Sequence, residues 1–268
     1  MSKNDQKRSD ERSLGPGERR QRIVELIQES GSVKVAALEE SFGVSPMTAR
    51  RDLLALEREG RVQRTHGGAV LPEFAGHEDS FRRRLEENVA AKQRLARAAA
   101  EIVEAGETVF IDSSTTAYYA VRRILDRSLR VTLLTNCVPV MELCSTNKGT
   151  NAELVGMGGS LRRLTLSFVG PQAVRTINAH FADRVLFSVK GVTPDGYLTD
   201  PDPQEAEVKR AMIHRSERPV LLVDGGKFEK RGLHAIAHVS EVDLAIVADA
   251  LEDEGGMFEE NGVEVHLV

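Results

Sequence analysis

Six short apolar runs, separated by longer segments with helical periodicity, constrain the fold of residues 108–248 more than any other feature. They read TVFI, VTLL, AELV, RVLFSV, PVLLV and DLAIVA. Runs of this length that alternate with helices indicate parallel strands, because a parallel connection has to cross the sheet and usually does so as a helix. We therefore predict a mostly parallel α/β domain, preceded by an Ala-rich helix over roughly residues 85–105.

Residues 18–72 show a different pattern, which predicts three short helices followed by a β-ribbon. Apolar side chains recur every three to four residues in the first two helices, which Gly31 and Gly43 are placed to end. Ser45 and Pro46 open the third helix, since serine caps free N–H groups and proline suits the first turn. The segment RVQRTHGGAVL alternates and turns at its glycine pair, which is typical of a ribbon.

Composition and charge divide the chain into three predicted parts. Residues 1–17 are polar and end in Gly-Pro-Gly, so we expect a disordered tail ahead of domains at 18–72 and 73–268. The net charge is −5, but residues 1–72 carry 13 Lys and Arg against 11 Asp and Glu, and the remainder carries 23 against 30. The net positive charge of the N-terminal part suits a segment that binds a polyanion.

Several classes of protein are disfavoured by what the chain contains. No apolar run approaches the ~18 residues that span a bilayer, and the N-terminus lacks the apolar segment of a secretion signal, so we expect a cytoplasmic protein with no membrane partner. Cys137 and Cys144, in a segment with helical character, are too few for a disulfide framework or zinc site and are expected to be reduced and buried. We expect no bound metal ion and no cofactor in this protein.

The third helix carries adjacent arginines near its start, where the helix dipole does not favour cations. Ala49, Leu53 and Leu56 form the stripe that should pack against the first two helices. The opposite side, with Arg50 at its flank, carries Met47, Thr48, Arg51, Ala55 and Arg58. DNA phosphates and guanine edges would supply the missing negative charge through bidentate contacts. The alternative is an ordinary solvated charged face.

The segment from Arg19 to Val70 resembles the winged helix-turn-helix of the DeoR family of bacterial transcriptional regulators. The family signature is Val-Ser, two variable residues, Thr, an apolar residue and Arg-Arg-Asp-Leu, which stands here as VSPMTARRDL with Ala49 in place of the usual isoleucine. RTHGGAV resembles the family's wing, and Arg61 precedes it. The resemblance implies binding to double-stranded operator DNA, with these candidate contacts: Ser45, Met47, Thr48, Arg50, Arg51, Arg64 and His66.

Polar residues follow most of the predicted strands, at the edge of a parallel sheet where ligands collect. They are Asp112-Ser113-Ser114-Thr115-Thr116, Thr135-Asn136, Gly156-Met157-Gly158-Gly159, Lys190-Gly191 and Asp224-Gly225-Gly226-Lys227. Hydroxyls and free N–H groups at a helix start bind anions, and Asp or Asn side chains bind hydroxyls. The set therefore favours a phosphorylated sugar or polyol, whereas each loop taken alone favours simple capping.

Most of residues 75–250 resemble the DeoR-family sensor domain, which is similar in fold to ribose-5-phosphate isomerase. The family's Asp-x-Gly-Thr-Thr, Thr-Asn, Gly-Gly and Asp-x-Ser-Lys motifs match, except that Ser114 replaces a glycine and Gly226 a serine. A Glu and a Lys on a helix bordering the site also match. The candidate effector contacts are Asp112, Ser113, Ser114, Thr115, Thr116, Thr135, Asn136, Gly158, Gly159, Lys190, Glu205, Lys209, Asp224 and Lys227.

These resemblances imply a transcriptional regulator without catalytic residues. We expect a repressor of sugar-metabolism genes, with a winged helix-turn-helix at 18–72 and an effector-binding α/β domain at 73–268, controlled by a phosphorylated sugar or polyol. An operator with two half-sites predicts a homodimer or homotetramer. The alternatives are a sugar-phosphate isomerase with an appended DNA-binding module, and an architectural DNA binder, which would leave the polar loops without a purpose.

Overall fold

A computed structural model describes residues 14–30, 32–59, 61–65, 67–70, 80–147, 149–250 and 252–268. Most of the predicted tail, residues 1–13, lies outside these ranges, as does His66. The chain divides into two compact units that meet in sequence between Arg83 and Arg84. Each unit is described by itself.

The first unit contains three helices and a small antiparallel sheet. Its elements are α1 Pro16–Ser30, β1 Ser32–Lys34, α2 Val35–Phe42, α3 Pro46–Arg58, β2 Gln63–Thr65 and β3 Gly68–Val70. The three predicted helices and the ribbon are therefore present. Strand β1 was not predicted, and it pairs with β3 to place β3 at the centre of the sheet. This combination is a winged helix-turn-helix.

Two glycines in the first unit are required by the backbone. Gly43 ends α2 in the left-handed conformation, with φ of 62°, and its N–H donates to the Glu39 carbonyl. Gly68 lies so close to β1 that a Cβ atom there would be 1.8 Å from the Val33 carbonyl oxygen. Any side chain at position 68 would therefore separate β3 from β1.

From Phe81 onward the chain forms a large parallel sheet with helices and a smaller sheet. The elements are α4 Phe81–Glu86, α5 Val89–Glu101, β4 Thr108–Ile111, α6 Thr115–Asp126, β5 Thr132–Thr135, α7 Val138–Thr146, β6 Glu153–Gly156, β7 Ser160–Arg162, β8 Ser167–Val169, α8 Pro171–Asn178, β9 Ala182–Phe187, β10 Gly191–Val192, β11 Tyr197–Asp200, α9 Pro203–His214, β12 Ser216–Asp224, β13 His234–His238, β14 Leu244–Ala248, α10 Glu252–Glu260 and β15 Glu264–Leu267. All six predicted strands are present, which confirms the α/β fold class.

The large sheet has the order β15-β14-β12-β9-β4-β5-β6, and all its neighbouring strands are parallel. Three features were not predicted: the edge strand β15, the antiparallel sheet β10-β11-β13 and the hairpin β7-β8. Their strands are two to five residues long and largely polar or mixed, so they lack the apolar runs by which the six were recognised. No described helix is long and apolar enough to span a bilayer.

The predicted Ala-rich helix is present, but it spans Val89–Glu101 and not the whole of residues 85–105, because the chain breaks between α4 and α5. Asn88 adopts the left-handed conformation, with φ of 48°, a region that asparagine tolerates better than most residues. Its side-chain Nδ2 donates to Asp224 Oδ1 at 3.1 Å. A contact distant in sequence therefore accompanies the break, and helical periodicity alone did not reveal it.

The two cysteines are unpaired, as predicted, although only one is fully buried. Cys144 lies in α7 and is half-buried, whereas Cys137 is the extended residue that precedes α7. Burial raises the pKa of the Cys137 thiol to about 12 and that of Cys144 to about 11. Both thiols are therefore protonated at neutral pH, and neither is an activated nucleophile.

Candidate DNA interface and effector site

The start of α3 is held by its own side chains. Ser45 Oγ accepts a hydrogen bond from the Thr48 backbone N–H at 3.2 Å and lies 3.0 Å from the Thr48 hydroxyl, while Pro46 occupies the first turn. Two of the predicted DNA contacts therefore also serve as a helix cap. The cap fixes where the following arginines emerge from the helix.

The Asp52 side chain of the Arg-Arg-Asp-Leu motif points into the DNA-binding unit. The residue is 4% exposed and accepts from Arg19 Nε at 2.6 Å, and its other carboxylate oxygen lies 3.4 Å from Arg20 Nε. Ala49, Leu53 and Leu56 are also buried, which confirms the predicted stripe. These ion pairs hold α3 against α1. The Asp of the Arg-Arg-Asp-Leu motif therefore sets the orientation of α3, and we do not count it among the DNA contacts.

Arg50 and Arg51 remain exposed on α3, as does Met47, which is 67% accessible. No hydrogen bond or ion pair joins the side chain of either arginine to another residue within the described part of the chain. Arg64 differs, since its backbone N–H donates to Glu57 Oε1 at 3.0 Å and its guanidinium lies 3.9 Å from the same carboxylate. The wing is thus tied to α3, and the two arginines are available to a ligand.

In the second unit, three neighbouring strands bring candidate residues to one edge. Ile111 in β4 lies opposite Thr135 in β5 and Leu186 in β9. Asp112, Asn136 and Ser188 therefore follow adjacent strands at their carboxyl ends. The sequence predicted this convergence for Asp112 and Asn136 but assigned nothing to Ser188.

Asp112 is completely buried and cross-links the edge. Its Oδ1 accepts from the Ser114 N–H at 2.9 Å, and its Oδ2 accepts from the Ser188 N–H at 3.1 Å and lies 3.7 Å from Lys209 Nζ. Burial raises the pKa of the Asp112 carboxyl, against the lowering effect of Lys209. The carboxylate mainly orients backbone and side-chain groups around it.

Lys209 and Glu205 project from α9 and complete an acidic end of the site, which we define as Asp112, Asp200, Glu205 and Lys209. Lys209 Nζ donates to Asp200 Oδ2 at 2.7 Å, and these carboxylates raise the pKa of the buried lysine despite its desolvation. The Glu205 carboxylate accepts from the Ser113 hydroxyl at 2.8 Å and from the Ser167 hydroxyl at 2.5 Å. Three carboxylates surround one ammonium group here.

The predicted phosphate loop is partly engaged in structural contacts. Ser114 Oγ caps α6 by accepting from the Ala117 N–H at 3.0 Å, and Thr115 Oγ1 lies 3.5 Å from the Arg84 carbonyl oxygen. Thr116 is buried at the same helix start. Thr135 Oγ1 donates to the Ile111 carbonyl at 2.8 Å and so joins β5 to β4. The helix start still offers free N–H groups to an anion.

A group of cations forms the other end of the site, which we define as Arg84, Lys92 and Lys227. Lys227 is half-buried, and its desolvation lowers the pKa of its ammonium group to about 8, opposed by Asp224 and assisted by Arg84. Lys92 is 5% exposed, donates to the Arg84 and Glu87 carbonyls, and has a pKa of about 8, lowered chiefly by desolvation. An anion at this cationic end would favour the charged form of both lysines.

The remaining predicted residues border this arrangement. Gly159 packs so closely that a Cβ atom would be 2.7 Å from the Val169 carbonyl oxygen, whereas a Cβ at Gly158 would have nothing within 4 Å. Lys190 is half-buried and its backbone N–H donates to the Thr199 carbonyl. Asp224 Oδ1 accepts from the Gly226 N–H at 3.1 Å, in addition to Asn88.

Sequence reasoning missed several residues of the site. Arg84, Asn88 and Lys92 lie before, at and after the break between α4 and α5, so no single helical period pointed to them. Asp200 and Ser167 lie on short strands that were not predicted, so no pattern pointed to them. Among the described residues, no group of three or more His, Cys, Asp or Glu is arranged to hold a metal ion.

A winged helix-turn-helix joined in sequence to an α/β unit with a polar cluster at its strand ends defines a DNA-binding regulator with a sensor domain. The DeoR-like helix-turn-helix domain matches residues 19–74, and the DeoR C terminal sensor domain matches residues 87–250. The chain therefore belongs to the DeoR family of transcriptional regulators. This membership confirms the sequence prediction of a regulator rather than an enzyme.

Individual relatives agree with this assignment. The putative aga operon transcriptional repressor of Escherichia coli O157:H7 is 32% identical over 97% of this chain and 96% of that protein. The glycerol-3-phosphate regulon repressor of Escherichia coli K12 is 32% identical over 85% of this chain and 88% of that protein. Ribose 5-phosphate isomerase A from Methanocaldococcus jannaschii matches 53% of this chain and 55% of that chain, with 16% identity and a TM-score of 0.39, a level that bears on neither activity nor ligand.

Proposed function

We propose that this regulator is a repressor of sugar-metabolism genes whose operator binding is controlled by a phosphorylated sugar or polyol. The observation that carries the proposal is the polarity of the strand-end site. The cationic end offers a half-buried ammonium group next to a second lysine and Arg84, and the acidic end offers a network of carboxylates and hydroxyls. A small molecule with an anionic group at one end and hydroxyls at the other complements both.

The proposed anion site combines the cationic end with the start of α6. Arg84 lies next to both parts, since its carbonyl contacts Thr115 and Lys92 and its charge lowers the pKa of Lys227. A phosphate group is favoured over a carboxylate, because it carries up to two charges and three acceptor oxygens. One of the relatives is named for glycerol 3-phosphate, which is a phosphorylated polyol.

The proposed operator contacts are the exposed groups of α3 and the wing. Arg50, Arg51 and Met47 are accessible on α3, and Arg64 extends the basic surface into the wing. A homodimer or homotetramer would place two such helices in successive turns of the major groove. The effector would act by biasing the equilibrium between forms that bind DNA and forms that do not.

Selection of genomic fragments that bind the full chain, followed by a reporter assay, tests the proposal. We expect the selected fragments to lie beside genes of sugar metabolism and the chain to reduce transcription from them. A phosphorylated sugar at about 100 times its Kd should add about 2.7 kcal/mol to the stability of the sensor unit, and its unphosphorylated parent much less. Activation of transcription would contradict a repressor, and equal stabilisation by the parent sugar would contradict a phosphate site.

Arg51→Ala is expected to weaken operator binding by about 1–3 kcal/mol, because a bidentate contact to a base or phosphate would be lost from an exposed side chain. The fold should be unaffected, since the exposed Arg51 side chain has no hydrogen bond or ion pair to another described residue. Gel-shift titration at two salt concentrations measures the effect. Arg123→Ala is the matched control, because it removes an exposed charge from the sensor unit. Equal affinities for the two variants would exclude Arg51 from the interface.

A further inference from the structure

Two buried oxygen atoms flank Asp112 without a hydrogen-bond partner among the described residues: Asn136 Oδ1 and Ser188 Oγ. Their side chains belong to residues that are 0% and 3% exposed. A buried polar atom without a partner is costly, so native structures rarely contain one outside a site with a function. Both atoms lie at the carboxyl ends of the parallel strands, where ligands bind in sheets of this kind, so one ligand could satisfy both.

Other contacts hold the Asn136 side chain and the Ser188 backbone in place. Asn136 Nδ2 donates to the Phe168 carbonyl at 2.9 Å, and the Asn136 carbonyl accepts from the Phe168 N–H at 2.8 Å, so the amide oxygen is turned away from β8. The Ser188 backbone N–H donates to Asp112 Oδ2. Asn136 cannot turn its amide oxygen elsewhere without giving up the contact to Phe168, and the backbone contact keeps the Ser188 hydroxyl beside Asp112 in any rotamer.

Asp112 itself is not available in the same way. Both of its oxygens accept backbone N–H groups, and Lys209 lies beside one of them. Glu205 likewise accepts from Ser113 and Ser167. The charged residues of the acidic end are therefore bonded to each other and to neighbouring hydroxyls. The neutral residues on either side of Asp112, by contrast, can still form a hydrogen bond to a ligand.

We propose that Ser188 and Asn136 recognise hydroxyl groups at the uncharged end of the effector. Asn136 Oδ1 can only accept, and Ser188 Oγ can accept or donate, so each pairs with a ligand hydroxyl. A carboxylate at this position would face an acceptor and three surrounding carboxylates. Of the cations there, Lys209 is already bound to two of these carboxylates, and Arg162, which is 4.0 Å from Glu205, is paired with Asp202. The ligand class is therefore a phosphorylated polyol or neutral sugar, and phosphorylated sugar acids are rejected.

This inference rests on the proposed function, because it assumes that the phosphate occupies the cationic end. Matched probes distinguish a failure of this inference from a failure of the proposed function. Glycerol 3-phosphate is compared with 3-phosphoglycerate, and glucitol 6-phosphate with 6-phosphogluconate, since each pair differs by a carboxylate at the end opposite the phosphate. Inorganic phosphate reports on the anion site alone. Binding to the full chain is measured by calorimetry and by thermal shift.

We expect at least one neutral probe to bind more tightly than its acid, and Ser188→Ala to weaken that neutral probe by about fivefold or more. The same variant should leave the affinity for inorganic phosphate unchanged. Ser145→Ala, which removes an exposed hydroxyl on α7, is the matched control and should alter neither affinity. The unchanged response to inorganic phosphate also shows that Ser188→Ala is folded.

Different failures point to different errors. If the acids bind as tightly as the neutral probes, or if Ser188→Ala does not weaken the neutral probe, the assignment of Ser188 and Asn136 is wrong while the anion site stands. If none of the phosphorylated probes binds and inorganic phosphate does not bind either, the proposed function is contradicted, and this inference with it.

Discussion

Asp52→Ala is expected to destabilise the DNA-binding unit by about 3 kcal/mol and to abolish operator binding with it. The substitution leaves the Arg19 guanidinium, whose side chain is 11% exposed, without the carboxylate that it contacts at 2.6 Å. An uncompensated charge in a mostly buried position costs far more than the loss of a surface ion pair. Because the pair joins α3 to α1, the helix that presents Arg50 and Arg51 should lose its fixed orientation.

Hydrogen exchange of the backbone amides in α1 and α3 measures this effect within the full chain. Amides of the large parallel sheet serve as an internal reference and should keep their protection. Glu59→Ala is the matched control, since Glu59 pairs with Arg20 but its side chain is 45% exposed, and we expect a loss below about 1 kcal/mol. Unchanged protection in α1 and α3 of Asp52→Ala would mean that the ion pair does not hold the two helices together.

Lys227→Met is expected to weaken the binding of a phosphorylated probe such as glycerol 3-phosphate by about 3 kcal/mol, roughly a hundredfold. The ammonium group is half-buried at the cationic end, and methionine keeps the length of the side chain without its charge. Calorimetric titration measures the loss. Lys230→Met removes an exposed charge from the same loop and should reduce the affinity by no more than about threefold.

The pH dependence of this binding follows from the lowered pKa values of the lysines. Lys227 and Lys92 both have a pKa of about 8 in the free chain, and an anion binds their protonated forms. The affinity should therefore fall as the pH rises above about 8, and it should fall again below about 6, where the phosphate dianion takes up a proton and keeps a single charge. In Lys227→Met the decline above pH 8 should be shallower. A wild-type affinity that is constant from pH 7 to 9.5 would place the anion elsewhere.

The pH dependence of folding stability provides a separate check on Lys227, because stability should rise with pH where the ligand affinity falls. Its folded pKa lies below the unfolded value of about 10.5, so the unfolded chain binds more protons between pH 8 and 10.5, and the stability of the ligand-free protein should rise with pH in this range. Removing the ammonium group should consequently not lower the melting temperature at pH 7. A destabilised ligand-free Lys227→Met would assign the lysine a structural role instead.

Local pattern in the sequence was sufficient for the parts of this protein that repeat a regular period. The apolar runs identified all six predicted strands, and the capped start at Ser45 and Pro46 located α3 with its buried stripe. The order of strands and loops also predicted that Asp112 and Asn136 would meet at one edge, since parallel strands end on the same side of a sheet. These properties depend on neighbours in sequence or on a general rule of topology.

Only the tertiary structure decided which side chain contacts which. Asp52 could have faced the DNA with the arginines beside it, but packing of α3 on α1 turned it toward Arg19. Asn88, at the break between α4 and α5, contacts Asp224, which is 136 residues away in sequence. Ser188 lies beside Asp112 because β9 pairs with β4 in the sheet, although 76 residues separate the two in sequence. Such contacts arise from the close packing of distant segments, and no local period records them.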